Sequence, residues 1–330
     1  MRSTIRVGDC LNVLRELPDQ SISCCVTSPP YFRLRDYGVD GQIGLEDSPA
    51  DFVARLVGVF NEVHRVLRDD GTLWMNLGDS YNAMSGSQNL AKSDMSYRGG
   101  GHKAGSVEYN LKRPGVGKPK NLLGVPWRVA FALQDAGWNL RQDIIWHKPN
   151  PMPESCKDRC TKAHEYIFLL TKQARYYWNH DAIQEPSVSG PSAYHFDTGK
   201  TAQSAENWHE ANGQPRTKQR NAEDGRSQDV EHDKSSSNTR NPRSVWTIPT
   251  GHYQGAHFAT FPPALVQRCL IAGNRPGGLV LDPFSGAGTT GLAALELGDR
   301  YFGIELNPAY AELSRKRLAS LACQSVLGFA

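Results

Sequence analysis

Two short stretches of this chain carry residue types and spacings suited to nucleotide and base chemistry. The first runs Leu279-Val280-Leu281-Asp282-Pro283-Phe284-Ser285-Gly286-Ala287-Gly288-Thr289-Thr290. It reads as a strand, a tight turn and a helix start. Glycines at the turn let the backbone approach a ligand closely, and the N–H groups of a helix start favour a carboxylate or phosphate. Tyr301-Phe302-Gly303-Ile304-Glu305 then reads as a second strand ending in an acid, placed to accept hydrogen bonds from ribose hydroxyls. Turn, second strand and acid in this order predict a site for a nucleoside-containing cofactor. Gly286, Gly288 and Gly291 also satisfy the G-x-G-x-x-G spacing of a dinucleotide dehydrogenase, so the glycines alone leave that class open. Two features weigh against it. Asp282 at the strand end would face a pyrophosphate, and the 25 residues after Glu305 are too few for a second mononucleotide-binding half on that side.

The second stretch is Thr27-Ser28-Pro29-Pro30-Tyr31, at the end of the apolar run Ile22 to Val26. Two prolines fix φ and remove two backbone donors, and each pushes the residue before it to extended conformations. A rigid turn results, with free carbonyls and an aromatic ring beside them. It suits a flat substrate bearing an NH₂ group. A carbonyl and the Ser28 hydroxyl accept its two hydrogens, and Tyr31 stacks on its ring. A base inside a duplex must be flipped out to be reached in this way.

These residues resemble one family. DPFSGAGTT followed by GIELN is similar to the cofactor motif of the amino-methyltransferases that act on DNA, and Ser-Pro-Pro-Tyr resembles their (D/N/S)PP(Y/F/W) motif. The resemblance implies S-adenosyl-L-methionine as cofactor. It is held by Asp282, Pro283, Phe284, Ser285, Gly286, Gly288, Thr289, Thr290, Glu305, Leu306 and Asn307, with Glu305 on the ribose and Asp282 helping to position the methionine part. It implies Ser28, Pro29, Pro30 and Tyr31 as the catalytic turn, where the amino nitrogen attacks the methyl group directly. The Ser variant is typical of enzymes acting on N4 of cytosine and the Asp variant of those acting on N6 of adenine, so N4 is favoured and N6 is the alternative. A C5-cytosine enzyme would carry a Pro-Cys nucleophile pair, and the chain has no such dipeptide. The catalytic turn precedes the cofactor turn, an order that marks the family's β group. Gly8-Asp9-Cys10 resembles the segment that contacts the cofactor adenine, which implicates Asp9 and Cys10. His257-Phe258-Ala259-Thr260-Phe261-Pro262 resembles the segment before the cofactor strand and implicates Phe261, with Ala259 and Phe261 departing from the usual pattern. Trp74-Met75-Asn76-Leu77-Gly78-Asp79 resembles the strand beside the catalytic one, with Asp79 lining the base pocket.

Strand alternating with helix must position these turns. Strands are expected at Ile5–Val7, Ile22–Val26, Thr72–Leu77, Trp138–Trp146, Tyr166–Thr171, Leu279–Leu281 and Tyr301–Ile304. Phe52, Leu56, Val59, Phe60, Val63 and Leu67 recur at helical spacing over residues 48–68. Ser48 and Pro49 form the N-cap and first turn, and Gly71 is the expected stop. Further helices are expected at Cys10–Glu16, Pro126–Ala136, Pro263–Ala272, Thr289–Leu297 and Pro308–Leu321. The predicted fold is α/β and Rossmann-like, with a mostly parallel central sheet and a variable target-recognition insertion. The expected organisation is a catalytic half over 1–185 with a basic loop at 85–121, an insertion over 186–243, and a cofactor-binding half over 244–330.

The chain has 330 residues and a formal net charge of +3, so the distribution of charge says more than its sum. No apolar run approaches the ~20 residues of a membrane span, and the N-terminus lacks a signal-peptide pattern; a cytoplasmic protein in a prokaryotic or phage setting is expected. Seven scattered cysteines fit reduced thiols. Residues 85–121 carry seven Lys or Arg against Asp94 and Glu108, a charge suited to phosphates. Lys103, Lys112 and Arg113 there, or Arg33 and Arg35 after the catalytic turn, are the expected contacts to double-stranded DNA. Residues 186–243 are polar and poor in aliphatic side chains. They contribute little core and occupy the position of target recognition in the family. Cys156, Cys160 and His164 share a spacing of four, but a zinc site wants a fourth ligand and tighter cysteine spacing, so no metal is expected. A cognate restriction endonuclease is the candidate protein partner, and both monomer and homodimer stay open. The rival functions are a methyltransferase acting on RNA or on a protein glutamine, and an inactive DNA-binding protein on a methyltransferase fold.

Overall fold

The computed structural model describes residues 3–82, 117–187, 239–251 and 261–327, with side chains to 321. Lys103, Lys112, Arg113, most of 85–121, residues 257–260 and most of the 186–243 segment lie outside them.

The chain divides into two compact units, Met1–Ile183 with Arg243–Ala330, and Gln184–Pro242. The larger is built on an eight-stranded sheet among the described residues. Its elements, in chain order, begin with β1 (Ser3–Val7), α1 (Cys10–Arg15), β2 (Ile22–Thr27), α2 (Pro49–Val66), β3 (Leu67–Leu77) and α3 (Val125–Asp135). β4 (Asn139–His147) and β5 (His164–Thr171) follow. In the smaller unit, β6 (Glu185–Pro186) pairs antiparallel with β7 (Thr239–Arg240), and Arg240 lies 3.7 Å from Glu185. The larger unit resumes with β8 (Val245–Thr247), α4 (Pro263–Gly273), β9 (Leu279–Asp282), α5 (Thr289–Glu296), β10 (Arg300–Glu305) and α6 (Pro308–Leu327). The strand order is β1-β10-β9-β2-β3-β5-β4-β8. β5 alone runs against its neighbours β3 and β4, so the sheet is mostly parallel, as the strand–helix alternation predicts.

Both faces of the sheet are covered, which is why its strands read as unbroken apolar runs. Alternate residues go to opposite sides. Cys25, Leu73, Met75, Phe168 and Leu170 join α1, α2 and α3 in one core. Cys24, Val26, Trp74, Ile167 and Leu169 join α4, α5 and α6 in the other. α2 shows the sequence logic plainly. Ser48 accepts from the Asp51 amide at 3.1 Å, Pro49 occupies the first turn, and Phe52, Leu56, Val59, Phe60 and Val63 are its buried stripe.

The expected helix stop at Gly71 needs correction. The helix ends at Val66, and Leu67 turns into extended backbone, so Gly71 lies inside β3. The glycine serves a close approach: a Cβ there would fall 2.7 Å from Leu67 Cγ and 2.9 Å from the Ser23 carbonyl. Gly71→Ala is therefore expected to destabilise the protein by about 1–3 kcal/mol through overpacking. Denaturant unfolding reads this, and a change within about 0.5 kcal/mol, the range of an ordinary surface substitution, would contradict it. β8 is a strand the sequence reading leaves out. It is three residues long, with Val245 exposed and Trp246 buried, too short to show a period. No helix among the described residues is long and apolar enough to cross a membrane.

Candidate active site

The catalytic and cofactor turns lie side by side at the carboxyl ends of parallel strands, the edge where α/β sheets place their ligands. β2 leads into Ser28 and β9 into Pro283, and the strands are neighbours, with Cys24 opposite Val280 and Cys25 opposite Leu281. A direct bond ties the turns together. The Thr27 hydroxyl donates to Asp282 Oδ1 at 2.7 Å across 255 residues of chain.

Asp282 is held by several partners within the fold. It is 2 % exposed. Its Oδ1 also accepts from the Phe284 amide at 3.0 Å, and its Oδ2 from the Thr290 hydroxyl at 2.7 Å. Thr290 also donates to the Val26 carbonyl at 3.2 Å and is fully buried. Asp282 and Thr290 therefore brace the turn from beneath. Burial pushes the Asp282 carboxyl up to about 6, from an ordinary 3.8. The raised value means that the folded state binds the extra proton. The stability this gives is complete below the ordinary carboxylate value and is lost as pH rises through about 6. The loss by pH 8 is about 3 kcal/mol. In Asp282→Asn the amide NH₂ can donate to Thr290 while Oδ1 keeps Thr27 and Phe284. That variant is expected to show a shallower decline in stability between pH 4 and 7, with burial of Glu305 and Asp299 sustaining the remainder, measured by denaturant unfolding across pH; an unchanged decline would contradict the assignment.

Above this brace the turn is shaped by backbone that favours glycine. Gly286 and Gly288 have φ of 52° and 74°. A Cβ on Gly288 would meet Ser314 Oγ at 2.2 Å. Gly288 is the N-cap of α5, which has no side-chain cap. Ser285 is buried and accepts from Tyr301 Oη at 2.9 Å, and Thr289 accepts from Arg317 at 3.0 Å. Pro283 is also buried, while Phe284 and Gly286 are half-buried.

Glu305 closes the turn from β10. Its carboxylate accepts from the Gly286 amide at 2.7 Å and the Asn307 amide at 2.8 Å. Burial raises its pKa from the ordinary value. With two oxygens and two bonds accepted, it retains lone pairs for further hydroxyl donors. Leu306 and Asn307 are half-buried beside it. β1 brings Asp9 and Cys10 to the same place: Val7 lies opposite Glu305, and the Gly8 amide donates to the Glu305 carbonyl at 3.0 Å. One Asp9 oxygen is occupied in capping α1, accepting from the Asn12 amide at 3.0 Å. Cys10 is buried. Phe261 is half-buried against the α4–α6 core at the entry to α4. A half-exposed ring, an uncapped helix start and a strand-end carboxylate thus surround the glycine turn, a donor and acceptor set that fits a nucleoside with an anionic arm.

In the catalytic turn Pro29 is buried, and Ser28, Pro30 and Tyr31 are half-buried. Tyr31 Oη donates to Glu165 Oε2 at 2.6 Å and lies 3.3 Å from Asn76 Oδ1. Burial and then the Glu165 carboxylate hold the phenol well above its usual range, so it stays a donor. Asn76 donates to Glu165 Oε2 and to the Tyr166 carbonyl, both at 3.1 Å. The Lys148 ammonium pairs with Glu165 Oε1. Asn76, Lys148 and Glu165 are absent from the site residues that the sequence predicts. The available signal was an acid, Glu165, at the head of the apolar strand Tyr166–Leu170, where a surface position would be cheaper.

The remaining expected residues lie in the loops around the turn and at the start of α3. Arg33 donates to the carbonyls of Glu46 and Asp47 at 3.0 and 2.7 Å, which ties down the loop after the catalytic turn. Arg35 is half-buried in that loop. Asp79 accepts from the Gly124 and Val125 amides at 3.1 and 3.0 Å, so it caps α3. Cys156 and Cys160 are exposed, and Cys156 donates to Asp158 at 2.8 Å. Burial pushes Cys10 and Cys24 up to about 12 and holds Cys25 and Cys269 well above the ordinary thiol value. None of these four can supply a thiolate at neutral pH.

A doubly covered, mostly parallel sheet with a glycine turn and a strand-end acid beside a Pro-Pro-aromatic turn defines a nucleotide-cofactor enzyme of the Rossmann-like methyltransferase class. The family model for DNA methylases matches residues 22–316, and the chain belongs to that family, the N6/N4 amino-methyltransferases. It is 42 % identical over 316 residues to the type II methyltransferase M.Cfr9I of Citrobacter freundii, covering 96 % of this chain and 87 % of that one. It is 43 % identical over 314 residues to M.SmaI of Serratia marcescens, covering 95 % and 90 %. Among solved structures, the fold matches PvuII DNA methyltransferase (cytosine-N4-specific) with TM-score 0.60 and 18 % identity, over 96 % of this chain and 86 % of that one. It also matches TTHA0409 of Thermus thermophilus, a putative DNA modification methylase complexed with S-adenosyl-L-methionine, with TM-score 0.56 and 23 % identity over 97 % and 95 %.

Proposed function

We propose that this chain transfers a methyl group from S-adenosylmethionine to N4 of a flipped cytosine in double-stranded DNA. The observation that carries the reading is the Thr27–Asp282 bond, which sets Ser28 and Tyr31 next to the glycine turn at one edge of the sheet. Phe284, Gly286, Glu305, Asn307, Asp9 and Cys10 surround the cofactor, with Glu305 accepting from its ribose hydroxyls. S-adenosylmethionine supplies an electrophilic methyl group on a sulfonium and leaves as a neutral thioether.

The chain supplies position. Ser28 Oγ and the Pro29 carbonyl accept the two amino hydrogens, which helps the nitrogen lone pair leave the ring's conjugation. Tyr31 stacks on the ring. Holding nucleophile and methyl group in line accounts for much of the rate, and acceptors aimed at the charging NH₂ for more. The amino nitrogen forms the N–C bond as the C–S bond breaks, and one amino proton then passes to solvent water. Serine at the head of the turn supports cytosine N4, and relatives bearing the name type II methyltransferase support a partnership with a cognate restriction endonuclease. Incubation with methyl-labelled S-adenosylmethionine and duplex DNA tests the reaction. Label on DNA is expected; label on RNA or protein alone, or DNA binding without transfer, would overturn it.

A further inference from the structure

We propose that Glu165 is a positioning residue for the methyl transfer: clamped by Lys148 and Asn76, it holds Tyr31 by its phenol and so sets the plane on which the target base stacks. The inference rests on the function proposed above and adds a residue to its machinery. Tyr31 is held at two points. At its tip, Oη donates to Glu165 Oε2 at 2.6 Å. Its ring also lies against Gly78, where a Cβ would fall 2.6 Å from Tyr31 Cε2. A ring packed against Gly78 and tied at its tip has little freedom to turn.

The carboxylate that ties it is itself fixed by two partners, one from β3 and one from just after β4. Asn76 on β3 donates to the same Oε2 at 3.1 Å. Lys148, following β4, pairs with the other oxygen and rests over the Trp146 ring at 4.4 Å. Glu165 opens β5. The Lys148 and Glu165 side chains are 18 % and 14 % exposed. A largely buried ion pair is a poor stabiliser, because desolvation offsets its attraction and an apolar pair of like volume would serve as well. What it provides is a fixed direction, and its free valence points at Tyr31.

A double-substitution cycle separates this role from a merely structural one, since residues that act through each other are non-additive. Glu165→Gln keeps the side-chain shape and removes the charge. With Tyr31 intact it is expected to lower kcat about 10- to 100-fold, the scale of a misplaced reacting group, with KM for S-adenosylmethionine within about twofold. In a Tyr31→Phe background, the same substitution is expected to change kcat by less than about threefold. Lys148→Met, which leaves the carboxylate without its counter-charge, should show the same background dependence and serves if Glu165→Gln does not fold. Equal losses in both backgrounds, or an unchanged kcat with Tyr31 intact, would overturn the proposal while leaving the methyl transfer standing. A wild-type protein that transfers no methyl group to DNA would overturn both.

Discussion

Glu305→Ala is expected to weaken S-adenosylmethionine binding at least about 100-fold, measured by titration calorimetry. The substitution removes the acceptor of the Gly286 and Asn307 amides and, in the proposed site, that of the ribose. Hydrogen bonds to a charged group are worth about 1.5–3 kcal/mol each, and tenfold in affinity is about 1.4 kcal/mol. Half-burial of Glu305 leaves water able to replace part of what is lost, so 100-fold is the lower end of the sum. Gly286 sits at φ 52°, and without Glu305 its amide has no fixed partner to hold that turn closed. Thermal unfolding should move little by comparison, because Asp282 and Thr290 still brace the turn from below. Cofactor affinity within about threefold of wild type, less than one ordinary hydrogen bond, would remove Glu305 from the site.

The second large effect lies on the other turn. Tyr31→Ala is expected to lower kcat/KM on DNA about 100-fold or more, with S-adenosylmethionine affinity within about twofold. Loss of stacking on one base costs about 1–3 kcal/mol, and a base free to tilt away from the line of transfer costs about as much again. The substitution also leaves Glu165 and Asn76 without the phenol they hold. The contrast between the two turns is the informative part: one substitution acts on cofactor binding, the other on turnover. A Tyr31→Ala protein that loses cofactor affinity would mean that the two turns are not separate in function.

Much of the scaffold was legible in the sequence because both faces of the sheet are buried. Ile22 to Val26, Leu279 to Leu281 and Tyr166 to Thr171 read as strands from their apolar runs, and α2 from its stripe and its Ser48-Pro49 start. Gly71 was misread because glycine after a helical pattern signals a stop, whereas here it answers a contact with the Ser23 carbonyl from the neighbouring strand. β8 was invisible because three residues carry no period. The chemistry-bearing motifs stand out because each is contiguous: a turn, a strand end, a Pro-Pro step. Their supports are not contiguous. The carboxylate that holds Tyr31 is 134 residues away, and the hydroxyl bound to Asp282 is 255 residues away. Such links exist only once β5 lies beside β3 and β2 beside β9. Local pattern therefore finds contiguous turns more readily than the distant side chains that brace them, such as Thr27 on Asp282 and Glu165 on Tyr31.

The central claim is methyl transfer to N4 of cytosine, and mass analysis of nucleosides from DNA treated with the protein and S-adenosylmethionine tests it most directly. N4-methylcytosine, absent when the cofactor is withheld, is the predicted product. N6-methyladenine in its place would contradict the reading of Ser28, and unmodified nucleosides would contradict the proposed activity as a whole.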